Sequence, residues 1–168
     1  MPTFTQIGTA QVVGAGGAAN FTFTTIPNTY TDLLLVISAR TNTGSNVEGS
    51  TITFNGSNTY ATRYLQGDGG SAASGTQTIL NAALFNGASA TANTFGNSQI
   101  YIPNYAGTTQ KSISGDGVSE NNATQAFTGL FAASATLTSA ITSITIAGNA
   151  GGSFVQYSTA YLYGVSNA

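Results

Sequence analysis

The chain has 168 residues, enough for one domain whose single core buries roughly 70% of the unfolded surface without a covalent staple. It carries three Lys or Arg and five Asp or Glu, so 5% of residues are charged, against about 25% in ordinary soluble domains. Three cations exclude a footprint for a nucleic-acid backbone, and the lack of Cys and His excludes disulfides, thiol chemistry, the usual catalytic triad and the common zinc and copper sites.

The longest apolar run is LLLVI at 33–37, too short for a membrane-spanning helix. The opening MPTFTQIGTAQVV has neither a basic n-region nor an apolar h-region, so no signal peptide is expected. Polar character comes from Thr, Ser and Asn. Hydrophobic residues make up 41% and the aromatics fall in alternating runs, which argues against disorder. A free monomer with so little charge is prone to associate, so attachment to something larger is expected.

In chain order, period-two segments rich in β-branched and aromatic residues predict strands at 4–13, 20–25, 31–40, 50–55, 60–65, 77–85, 95–103, 111–119, 125–132, 142–147 and 154–165. Clusters of Gly, Asn and Ser separate them, and no segment reads as a helix. Residues 1–13 are expected as an N-terminal arm or edge strand, and 14–168 as one β-sandwich domain. GAGG at 14–17 has no following helix and reads as a turn, not a dinucleotide fingerprint. TDLLLVISAR is apolar on both faces at its centre, as a central strand covered on both sides would be. TITFNGSN runs into Asn55-Gly56, the strongest hairpin signal in the chain. Residues 67–75 read as a loop. Many short strands, frequent turns and no helix predict an all-β, antiparallel, jelly-roll-like sandwich of about 8–11 strands.

Little here points to catalysis. Lys111 next to Ser112 suggests a Ser–Lys dyad only weakly, and a solvated lysine at a strand start is the plainer expectation. Asp116 and Glu120 would make a carboxylate pair only if a turn bends the segment, and Asp116-Gly117 is expected to be a turn or bulge. Asp116, Glu120, Asn121 and Asn122 together offer hard oxygen donors for calcium, though not at EF-hand spacing. No catalytic residue, metal site or cofactor is predicted.

FVQYSTAYLYGV at 154–165 alternates, placing Tyr157, Tyr161 and Tyr163 on one face of an extended strand. Tyrosine contributes large area at low rotamer cost, so these three are candidates for a subunit interface, with core packing and sugar stacking as rivals. Phe4 and Ile7, in the candidate arm, complete the interface set.

IPNTYTDLLLVISAR, ITFNGSNTYATRYLQGDG, FGNSQIYIPNYAGTTQKSISGDGVSENNATQ and ITSITIAGNAGGSFVQYSTAYLYGV together resemble a family of small β-rich virion proteins of tailed bacteriophages, often those infecting cyanobacteria and other aquatic bacteria. The resemblance spans about residues 21–165. It implies no enzyme activity. It implies a capsid decoration, or cement, protein on the virion surface: a homotrimer seated on the major capsid protein, with residues 1–13 reaching a neighbouring subunit. The alternative is an adhesive module of a tail or head fibre that binds host surface polysaccharide. Neither role involves nucleic acid or a membrane.

Overall fold

The computed structural model describes residues 1–56, 59–120 and 126–166. They form thirteen strands and no helix: β1 (Thr3–Gln6), β2 (Gln11–Val12), β3 (Asn20–Phe23), β4 (Asp32–Ala39), β5 (Val47–Phe54), β6 (Tyr60–Gly67), β7 (Ala72–Gln77), β8 (Leu84–Asn86), β9 (Gly96–Ile102), β10 (Lys111–Glu120), β11 (Ala126–Ala135), β12 (Ile144–Gly148) and β13 (Thr159–Ser166). Two sheets result. The larger has the order β1-β13-β4-β9-β10-β11-β6-β7, with β2 also on β13; the smaller has the order β3-β12-β5-β8. The ladders between named strands are antiparallel.

The chain winds back and forth between the sheets. β1, β13, β4 and β9 face β3, β12, β5 and β8 in the strand order of a jelly roll. Two hairpins are inserted into this frame, β6–β7 between β5 and β8, and β10–β11 between β9 and β12. They pair through β11 and β6 and extend the large sheet well past the edge of the small one.

The core lies between the sheets. β4 contributes Leu33, Leu35, Ile37 and Ala39, all essentially inaccessible. Opposite them stand Phe21 and Phe23 on β3, Ile144 and Ile146 on β12, and Ile52 and Phe54 on β5. Phe154 joins the layers, its ring 4.3 Å from Phe21 and 5.1 Å from Phe85. Each such side chain contributes about 1.5–3 kcal/mol on burial. The second face of β4, Leu34 and Val36, is only half-buried. The expectation that β4 is covered on both sides therefore fails, because the small sheet lies against one face only.

Charged side chains act as internal pins. Arg40 donates to the carbonyls of Ala88, Ala90, Thr91 and Thr94, closing the loop before β9. Glu48, 2% exposed, accepts the N–H groups of Ala150 and Gly152 and the Thr43 hydroxyl. Asp32 accepts the Tyr101 hydroxyl at 2.5 Å and the Asn104 N–H at 2.8 Å. Lys111 caps the carbonyls of Gly107 and Thr109. A buried charge is tolerated only when its hydrogen-bonding capacity is met, and these four meet it largely through backbone groups.

Several predicted boundaries change. Gly8, at φ 67°, splits the expected strand 4–13 into β1 and β2, both paired with β13 at the sheet edge. Asn55 and Gly56 do adopt positive φ, yet β5 and β6 belong to different sheets and form no hairpin. The Asn55 side chain instead binds Ala140, Thr142 and Ser143, turning the chain between layers. The expected loop 67–75 is mostly the β6–β7 hairpin, tightened where Asp68 accepts the N–H groups of Gly70 and Ser71. The expected strand 77–85 breaks up, since its buried end crosses beneath β10 on the way to β8. That crossing needs Gly115, where a Cβ would sit 2.8 Å from the Ala82 carbonyl oxygen. Asp116-Gly117 is consequently mid-strand and neither a turn nor a bulge. Residues 155–158 form a turn, so β13 begins only at Thr159.

Tyr60 bridges the sheets, its hydroxyl accepting the Phe54 N–H at 2.8 Å. Burial pushes its pKa up from 10.0 to about 12. Above pH 10 the unfolded chain loses this proton while the folded chain keeps it, so stability falls across that window by one proton's worth per pH unit. Urea midpoints between pH 9 and pH 12 should show this decline, and Tyr60→Phe should remove one proton from its slope. At pH 7 the same variant should lose about 1–3 kcal/mol, because the Phe54 N–H is left without its acceptor.

Candidate functional site

The large sheet is wider than the small one, and among the described residues no second layer covers most of its outer face; at one end of it Val165 and Asp32 are buried. The ladder registers align the outward residues in rows. One row runs Gln6, Tyr163, Leu34, Tyr101, Ser114, Ala132 and Arg63. The next runs Tyr161, Val36, Gln99, Asp116, Leu130 and Leu65. A third runs Thr159, Ser38, Asn97, Val118 and Thr128.

These rows hold half of the large apolar groups that the fold leaves in solvent: Leu130 is 57% exposed, Leu65 53%, Val118 47% and Tyr101 37%. Phe4, 58% exposed, extends the face along β1 beside Val165. Contiguous exposed apolar surface of this kind marks an interaction site more often than a scattered apolar residue does. The rows themselves contain two charged residues, Arg63 and Asp116, and Glu120 stands at the end of β10.

Three shallow grooves crease the face. Two, of about 360 and 400 Å³, share Gln99 and Asp116 as the ridge between them; Tyr161 walls the first and Tyr101 the second. The third, about 310 Å³, runs between Leu65 and Leu130 with Arg63 at its rim. The hydrogen bond to Asp32 holds the Tyr101 ring at the groove wall and, with burial and the carboxylate charge, pushes its hydroxyl pKa upward.

The predicted interface residues separate into three places. Tyr161 and Tyr163 do lie together on the outer face, rings stacked with centroids 6.5 Å apart. Phe4 lies on the same face. Ile7 is a core residue, 7% exposed, its N–H bonded to the Leu162 carbonyl. Tyr157 is not on the strand face: it sits in the turn before β13 at φ 72°, its N–H on the Val13 carbonyl. The turn is fixed because the Ser158 hydroxyl is held by the backbone N–H and carbonyl of Arg40. Sequence reasoning missed Leu65, Val118, Leu130 and Arg63. Their alternation was visible, but which parity stays uncovered was not.

The two catalytic arrangements raised by the sequence, Lys111 with Ser112 and Asp116 with Glu120, are not formed. Lys111 is 1% exposed and points inward, while Ser112 points outward, so they cannot form a dyad, and the lysine is not solvated. Burial holds its pKa below the usual value. Asp116 and Glu120 share one face of a continuous strand, which spaces their backbones by about 13 Å. Asn121 and Asn122 lie outside the described residues. Among the described residues no three His, Cys, Asp or Glu side chains are grouped to hold a metal ion. Compared with known protein families, curated proteins and solved structures, the chain matches none.

The two faces of the large sheet should respond differently to truncation. Leu35→Ala, on the covered face of β4, should cost about 2–5 kcal/mol in denaturant unfolding. Leu130→Ala, on the uncovered face, should cost less than about 1 kcal/mol. Lys111→Ala should not be silent, as a solvated lysine would be. It strips two carbonyls of their donor and should cost about 1–3 kcal/mol.

Proposed function

We propose that this chain is a non-enzymatic structural protein of a bacteriophage virion, a decoration protein that sits on the outer capsid shell as a homotrimer and clamps the major capsid protein. The observation that carries the reading is the aromatic half of the uncovered face, where Phe4, Tyr161, Tyr163, Leu34, Val36 and Tyr101 gather over β1, β13, β4 and β9; Arg63 and Asp116 stand further along their rows, on β6 and β10, and Asp32 is buried with its carboxylate on the Tyr101 hydroxyl. Rings and methyl groups contribute about 25 cal/mol per Å² buried, before the cost of association. Such a contact keeps its strength in seawater-like salt, where exposed charges are screened within about 4 Å. Three linked copies add effective concentration to each contact.

A second reading, an adhesive fibre module for host surface polysaccharide, is favoured by one feature. Tyr161 and Tyr101 flank the Gln99–Asp116 ridge, pairing ring faces with groups that bind hydroxyls. Copy number separates the two. Gel densitometry of purified virions should give this protein in hundreds of copies per particle, comparable with the major capsid protein. Tens of copies would favour the fibre, and absence from the particle would end both readings. Tyr161→Ala should fold normally and bind shells depleted of this protein more weakly; unchanged binding would remove the aromatic half from the contact.

A further inference from the structure

The uncovered face is too twisted to meet a single flat partner. Adjacent strands rotate by about 20–25°, so β13 and β6, five steps apart in the sheet, differ in direction by roughly 100° or more. The aromatic half and the half over β10, β11 and β6 are therefore separate surfaces. The second has its own arrangement. Leu130 and Leu65 are cross-strand neighbours, both more than half exposed, with a groove of about 310 Å³ beside them. Asp116 stands on one side of β11, on β10, and Arg63 on the other side, on β6. Both are exposed. Arg63 makes one long hydrogen bond, 3.4 Å, to the Thr62 carbonyl, and Asp116 has no hydrogen-bond partner among the described residues.

We propose that this leucine half is a contact between two copies of the chain related by a two-fold axis. Place the axis in the plane between the two facing sheets, over β11 midway between Leu130 and Ala132 and perpendicular to the line from Arg63 to Asp116. The leucines of the two copies then pack against one another at the centre. Each Arg63 lies over the other copy's Asp116 at the rim. A two-fold contact must be self-complementary, with each group meeting the group its own symmetry mate offers. A single cation and a single anion flanking an apolar centre satisfy that requirement, and an apolar centre with a polar rim is the usual anatomy of an interface. Sheets stack about 10 Å apart, within reach of an extended Arg and an Asp pointing towards each other. Three strands at about 4.8 Å, each roughly 30 Å long, give about 400 Å² of flat area per copy, or about 800 Å² for the pair. That is below the roughly 1,000 Å² of a stable specific interface, so the association is weak and concentration-dependent. The inference does not depend on the virion reading. On a shell the contact would link neighbouring copies beyond those joined by the aromatic half.

Sedimentation equilibrium on the full chain tests it, from about 1 µM to about 300 µM, the range a small interface calls for. Circular dichroism checks that each variant is folded. The wild-type mass should rise with concentration to twice its dilute value. Arg63→Asp alone and Asp116→Arg alone put like charges at both ends of the contact and should raise the midpoint of that rise about tenfold or more. An equimolar mixture of the two variants should recover it, because one copy then presents only acids and the other only bases. Leu130→Lys should abolish the rise, and mixing it with either charge variant should not bring it back. A wild-type mass that stays constant, single charge variants that associate as the wild type does, or a mixture that stays at the mass of its components would each overturn the proposal.

Discussion

The constraint behind the rest is a mismatch of width. A nine-stranded sheet lies against a four-stranded one. A sheet stabilises itself by burying one face, and here the small sheet, with the segment that crosses beneath β10, covers the inner face. Among the described residues no second layer covers most of the other. The two inserted hairpins create the mismatch, since without them the strands would make an ordinary two-layer jelly roll with four strands a side, β1 and β2 together forming one edge. The insertions lengthen one layer, and their outward residues are not made polar enough to meet water comfortably. Leu65 and Leu130 both belong to these insertions.

The scarcity of charge has a consistent physical use. Of three cations and five anions, two of each are spent inside the fold, where backbone carbonyls and N–H groups satisfy them. Arg40 organises a whole loop by donating to four carbonyls, a role that its guanidinium fork suits and that a lysine would fill poorly. Asp68 closes a hairpin. What remains for the exterior is Arg63, Asp116 and Glu120, all on the uncovered face. Charge in this protein is therefore almost entirely either structural or located where another molecule could meet it.

The fold class was legible in the residues, because period-two alternation and turn composition are local signals and β4, β9 and β10 obey them along nearly their full length. Pairing was not legible. Asn55 and Gly56 take the dihedrals their identity favours, but dihedrals do not say which strand comes back alongside, and the Asn55 side chain commits the chain to the other layer. The pattern at 154–165 continues through a turn whose cause, the Ser158 hydroxyl on the Arg40 backbone, is a contact across 118 residues. The site was half legible. Tyr161 and Tyr163 could be assigned to one face from spacing alone. The apolar character of Leu34 and Val36 was read as burial, and only the width of the small sheet reveals it as surface. Lys111 was misread in the opposite sense, as a charge in water, since no sequence pattern announces that two nearby carbonyls will bury an ammonium.

The outer face of the small sheet provides an internal comparison. Its central row is Thr22, Thr145 and Thr53, and the row beside it is Asn20, Ala147 and Thr51. The same chain, with the same near-absence of charge, here meets solvent with hydroxyls and an amide, using β-branched residues that keep strand propensity while remaining wettable. Threonine would serve equally well on β11 and β6, where it would cost the sheet nothing in propensity. Leucine stands there instead, beside a groove, with opposite charges at its flanks. A chain able to make one outer face polar without ionic groups has no physical need to leave the other apolar. The difference between the two faces is therefore the strongest sign that the apolar one is kept for contact with another molecule and is not a by-product of an uncharged composition.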